Sequence, residues 1–360
     1  MLNRLEDQFA GAPLVAVTEL AEYLQATTLR LAADGAPEMS PLAFVDLSRT
    51  TSSDAADAAD AAADRAGALL VGVAPDGVPP MYSRLVQTLT CTLSPMASRS
   101  RAEILSADLT AEMSRLASAV AACPRAAFTL GNLLRTTARL PVYQGLVTES
   151  ATYSMLLAGA EFRRWRAMRP VRPIPDYDEP AIVVTRDDGT LVVTINRPQR
   201  RNAFGREVRD GLIEAFDLAV LDRTITAVRF TGAGPAFCSG GDLDEFGTAD
   251  DVTTAHLTRL DRSVAMRVHR CRDRVTAALH GGCIGAGVEI PAFADRVLAR
   301  DDAIFQLPEL EMGLVPGAGG TVGITARIGR WRTAYLALSG ERIGVDTALE
   351  WGLVDERVRD

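Results

Sequence analysis

Two regimes of hydrophobic patterning divide the chain. Up to about residue 168, apolar positions recur at helical spacing; within residues 14–31, Leu20, Tyr23, Leu24 and Leu31 share one face. Residues 102–122 and 126–138 read the same way. Residues 151–168 read as a helix closing on Arg163, Arg164 and Arg166, cations that suit a helix C-terminus. The tract at 54–64, DAADAADAAAD, favours helix through its alanines yet repels itself through four aspartates, so it reads as either a solvated helix or a loop. Residues 169–180, RPVRPIPDYDEP, hold four prolines, which stop helices and favour extended chain. The expected organisation is an α-helical N-terminal domain over 1–168, a linker over 169–180 and a second domain over 181–360.

Past the linker the period shortens. Residues 181–185 and 191–196 flank the turn Asp187-Asp188-Gly189 and predict a hairpin. A helical stretch at 208–221 and a buried strand at 227–231 follow, and strands recur at 275–279 and 297–299 with glycine-rich punctuation. This alternation predicts an α/β domain.

Composition narrows the chemistry. Of the 360 residues 48% are hydrophobic and 23% charged, enough for one large core or two modest ones. A net charge of −8 gives no basic excess for nucleic acid, and the absence of lysine excludes a lysine Schiff base. Cys91, Cys123, Cys238, Cys271 and Cys283 lack metal or disulfide spacing, which predicts a reducing, cytoplasmic setting and no metal. Glu6 and Asp7 sit where a signal peptide carries positive charge, and no stretch approaches the roughly 20 apolar residues of a membrane span.

Three loops stand out: GAGPAFCSGGDL at 232–243, HGGCIGAGVEI at 280–290 and FQLPELEMGLVPGAGGT at 305–321. In each a strand runs into small residues, which let a ligand approach main-chain N–H groups; a helix start beyond adds unpaired donors. Glu289 and Glu309 are the acid/base candidates, set among Val288, Ile290, Leu307 and Leu310, whose apolar character raises a carboxyl pKa. Glu311 and Asp295 are read as structural, as are His256, His269 and His280. Cys238 and Cys283 are read as small apolar fillers, and Trp165, Trp331 and Trp351 as packing residues.

With INRPQRRNA at 195–203, the three loops resemble, in order and spacing, the signature stretches of the enoyl-CoA hydratase/isomerase, or crotonase, superfamily. The resemblance covers about residues 181–358 and implies an α/β spiral of ββα units (the ClpP/crotonase fold). It places oxyanion-hole N–H groups on Gly241 and Ala286, which would bind a thioester oxygen more tightly as enolate than as carbonyl. It gives Glu289 mainly the activation of water and Glu309 mainly the proton for Cα. Ala203, Ser239, Asp242, Leu243 and Gly317 fall at substrate-binding positions, and Arg197, Arg200 and Arg201 are open between phosphate contact and surface charge. Coenzyme A belongs to the acyl-CoA substrate, so no separate cofactor is expected; a homotrimer or hexamer is, with no nucleic acid or membrane partner.

Family members carry further helices after a segment like ALEWGLVDERV at 348–358, so a core without those helices is expected here. The approach YSMLLAGAEFRRWRA at 153–167 resembles the N-terminal extension of the cofactor-independent dihydroxyphenylacetyl-CoA dioxygenase. Enoyl-CoA hydration is the leading expectation. Dioxygenation of an arylacetyl-CoA, enoyl-CoA isomerisation and a non-catalytic partner subunit are the alternatives; a glutamate at 289, where the dioxygenase branch has an amide, speaks against the first.

Overall fold

The computed structural model describes residues 9–26, 37–170, 172–173, 175–249 and 251–359. Glu6, Asp7 and Leu31 lie outside the described residues. Two compact units divide the chain: Met1–Arg135 with Gly329–Gly340, and Thr136–Ile328 with Glu341–Asp360. The boundary expected at 169–180 is therefore displaced, since residues 136–168 fold with the second unit. Prolines stop a helix, but cores are divided by what each helix buries, and the helix Val142–Leu157 buries Gly145, Leu146, Glu149, Ser150, Ser154 and Leu156.

The first unit has helices Val17–Ala26 and Leu109–Ala122 within the expected ranges 14–31 and 102–122, whose residues 14–16 and 103–105 are instead strand, and a sheet that the helical reading omitted. Strands β1 (Leu14–Ala16), β2 (Leu42–Asp46), β3 (Leu69–Val73), β4 (Cys91–Ser94) and β5 (Glu103–Leu105) lie side by side in that order, all parallel. Every residue of β3 and β4 is buried. In β3, LLVGV, a strand covered on both faces shows a continuous apolar run instead of alternation, which periodicity does not separate from helix. The aspartate-rich tract is a helix, Ser53–Arg65. Its Ala56, Ala59 and Ala63 join the core, and the Ser52 hydroxyl caps it by accepting from the Ala55 N–H at 3.2 Å.

The second unit contains β6 (Ile182–Asp187), β7 (Thr190–Ile195), β8 (Ala227–Gly232), β9 (Val275–Leu279), β10 (Gly282–Ile284), β11 (Arg296–Arg300), β12 (Ile304–Gln306), β13 (Ile343–Gly344) and β14 (Glu356–Val358). The order β14-β11-β9-β8-β7-β6 makes a six-stranded sheet and β10-β12-β13 a three-stranded one. β6 and β7 are the expected hairpin, with Asp188 at φ 50° in the turn. Twice the chain passes from the large sheet to the small one, β9 to β10 and β11 to β12, and then turns into a short helix, Ala286–Glu289 or Glu309–Met312. This is the ββα step that the sequence implied. It sets the 280–290 and 305–321 loops beside each other, because β10 and β12 pair in register. Among the described residues no helix is long and apolar enough to cross a membrane.

Candidate active site

Backbone pairing laces two of the glycine loops together. The main chains of Cys238 and Cys283 form a parallel β-bridge, in which the Cys238 N–H donates to Gly282 O at 3.1 Å and the Ile284 N–H returns to Cys238 O at 3.0 Å. A Cβ on Gly285 would lie 3.7 Å from Gly240 Cα, so these main chains run in contact. Gly241 and Ala286, the next residue of each loop, line one cavity of about 890 Å³. Neither N–H has a protein acceptor among the described residues.

Glu289 and Glu309 line the same cavity and are 2% and 7% exposed. Their surroundings differ. Glu289 Oε2 accepts from the Ala318 N–H at 2.7 Å and the Gly320 N–H at 2.8 Å, whereas Glu309 Oε2 is buried with no hydrogen-bond partner. Burial raises both carboxyls above their ordinary range; the Glu289 charge raises Glu309 further, while the two N–H bonds pull Glu289 back. Gly285, at φ 50°, makes this possible, because a Cβ there would sit 2.5 Å from Glu309 Oε1.

Over residues 185–360 the chain matches the family model for enoyl-CoA hydratase/isomerase. It is 33% identical over 175 residues to the 2,3-dehydroadipyl-CoA hydratase of Escherichia coli (strain K12), covering 49% of this chain and 68% of that one. The chain belongs to the enoyl-CoA hydratase/isomerase family. It is equally similar, at 33% over 179 residues, to the 1,2-epoxyphenylacetyl-CoA isomerase of the same organism, covering 48% of this chain and 68% of that one. An enoyl-CoA hydratase from Thermoplasma volcanium GSS1 aligns with 51% of this chain and 73% of its own, at 32% identity and a TM-score of 0.47.

Within this crotonase-like core, the cavity has a third buried carboxyl, one the sequence reading missed. Glu149, on the Val142–Leu157 helix, is 2% exposed and lines the same cavity. Its neighbour one turn on, Tyr153, packs against Gly317, where a Cβ would fall 2.3 Å from the ring. Arg259 also lines the cavity, stacking 4.8 Å above the Tyr153 ring and donating to Ser150 Oγ at 3.2 Å. The helix expected over 151–168 is instead two, Val142–Leu157 and Ala160–Ala167, so Glu149 fell in a stretch the sequence left unassigned, and helical spacing carries no sign of what a buried face meets.

Gly317 borders the cavity, whereas Ala203, Ser239, Asp242 and Leu243 are not among its lining residues. Asp242 accepts from Arg200 at 2.7 Å, and Asp244 from the same nitrogen at 2.8 Å, so that guanidinium is taken. Arg197 is buried, bonded to Glu207 at 2.8 Å and stacked on Tyr177. Arg201 is exposed, with no side-chain partner among the described residues.

Glu311 and Asp295 are exposed and outside the cavity. His256 meets Ser150 Oγ at 3.0 Å, His280 meets Gly234 O at 3.0 Å, and His269 sits edge-on to Phe293. Burial pushes the Cys238 thiol up to about 12 and Cys283 well above its usual value, which suppresses any nucleophilic thiolate. Trp165 stacks with Phe162, Trp331 donates to Gln87 O, and Trp351 is buried.

Proposed function

We propose that the protein hydrates a 2-enoyl-CoA thioester. The observation that carries this reading is the contrast between Glu289, held by two N–H donors, and Glu309, with one buried oxygen unpartnered, across a single cavity. Donors favour the ionised form and a dry site the protonated one, so the pair supplies one base and one acid. Glu289 takes a proton from water as its oxygen bonds to Cβ of the enoyl group. The electron pair of the double bond moves onto the thioester oxygen, between the N–H groups of Gly241 and Ala286. Glu309 then gives its proton to Cα as the carbonyl re-forms, and the proton on Glu289 passes back to restore the pair. Two such donors are worth on the order of 3 kcal/mol each in the barrier.

Of Arg197, Arg200 and Arg201, it is Arg201 whose guanidinium has no side-chain partner among the described residues and is left to meet a phosphate of the coenzyme. The five buried, unlinked cysteines support a reducing cytoplasmic setting, and a homotrimer or hexamer is the assembly the family resemblance implies. Isomerisation is the second reading, favoured by the similarity to the E. coli isomerase. It would need only one of the carboxyls to carry a proton between carbons. The test is crotonyl-CoA: loss of the conjugated-enoyl absorbance is expected for the parent, and its disappearance in Glu289→Gln and in Glu309→Gln. Full turnover in both variants sinks the proposal, and a shifted double bond without water uptake selects the isomerase.

A further inference from the structure

Four successive main-chain N–H groups open the helix that starts at Gly320, and two carboxyls divide them alternately. Ala318 and Gly320 donate to Glu289 Oε2 at 2.7 and 2.8 Å. Gly319 donates to Glu149 Oε1 at 2.7 Å and Thr321 to Glu149 Oε2 at 2.9 Å, with the Thr321 hydroxyl adding a third bond at 2.7 Å. The turn is confined on both sides: a Cβ on Gly319 would lie 2.6 Å from the Phe293 ring, and one on Gly320 would lie 2.8 Å from Glu289 Cγ.

We propose that Glu149 is a positioning residue, a clamp on the 318–321 turn that keeps the alternate N–H groups aimed at Glu289. This rests on the hydration reading in so far as Glu289 is the base. Both Glu149 oxygens are occupied by donors, so it is ill placed to take a proton from water itself. A carboxyl is the group the geometry demands, since every neighbour it meets there is a donor. Glutamine would turn an amide N–H toward either Gly319 or Thr321 and set donor against donor. The charged and titratable groups that act on Glu149, or that it acts on, are Glu289, Glu309, Tyr153 and Arg259. Burial and the Glu289 charge raise Glu149, while its donors oppose them. Two carboxyls crowded at one helix start thus stay in place because the start supplies donors to both.

The test pairs turnover with amide hydrogen exchange in Glu149→Gln, using the full chain. A clamp predicts that kcat falls about 10²-fold, the cost of a base displaced by about 1 Å, with KM for crotonyl-CoA held within about threefold. It also predicts exchange at least about tenfold faster at Ala318 and Gly320, residues that bond Glu289 and not Glu149. Exchange needs no turnover, so a parent inactive on crotonyl-CoA would refute the hydration reading and leave the clamp testable. Should Glu149→Gln fail to fold, Thr321→Val removes one of the three bonds, and faster exchange at the same two amides is expected. Parent-like exchange at Ala318 and Gly320 in the folded variant overturns the proposal, as does a rise in KM with kcat unchanged.

Discussion

Replacing Gly285 by alanine tests the placement of Glu309 without touching a carboxyl. Gly285 has φ 50° and ψ −118°, a region that L side chains rarely adopt. Holding alanine there costs on the order of 1–3 kcal/mol of stability. The new methyl would also lie 2.5 Å from Glu309 Oε1, where real contacts hold at 3.0 Å or more. Something must shift by about 0.5 Å or more, and the end of the glutamate side chain yields at less cost than the backbone does. On the hydration proposal, displacement of Glu309 by up to about 1 Å is expected to lower turnover about 10²-fold, equivalent to about 2.7 kcal/mol of barrier. Gly282→Ala is the control, since its nearest neighbour is Ala236 Cβ at 3.7 Å and its φ is not positive. Urea denaturation midpoints and initial rates on crotonyl-CoA would be measured for both. If Gly285→Ala matches Gly282→Ala in stability and rate, the steric account of Glu309 is wrong.

Two further outcomes follow from burial and charge. Glu309 has its pKa raised in the fold, so relative to the unfolded chain it binds its proton more tightly; the stability it confers is full below the ordinary glutamate range and is lost as pH rises toward the folded pKa. Glu309→Gln should therefore gain denaturation midpoint over the parent at pH 8 more than at pH 5, and an equal shift at both would contradict the raised pKa. Arg201→Ala should raise KM for the CoA thioester about three- to fivefold with kcat unchanged, because an exposed charge contact is worth at most about 1 kcal/mol; an unchanged KM removes Arg201 from phosphate binding.

Much of the catalytic core was legible because its requirements are local. Small residues at Gly241, Gly285 and Ala286 answer to main-chain approach, and the hairpin at 181–196 to alternation and a turn. Less legible was everything set by partners far along the chain. Arg200 was open as a phosphate ligand until Asp242 and Asp244 were found to hold it. The first unit's sheet was not legible because β3, buried on both faces, has no polar beat to read, and β1 and β5 are only three residues long.

By itself, then, the sequence determined the family, the glycine loops and the two carboxyls at 289 and 309, since those depend on residue type and spacing along short stretches. Tertiary structure alone decided that a helix 140 positions upstream (289 − 149) brings Glu149 and Tyr153 to the same cavity. Amphipathic spacing states that a face is buried and not what it is buried against; that depends on how separated segments pack.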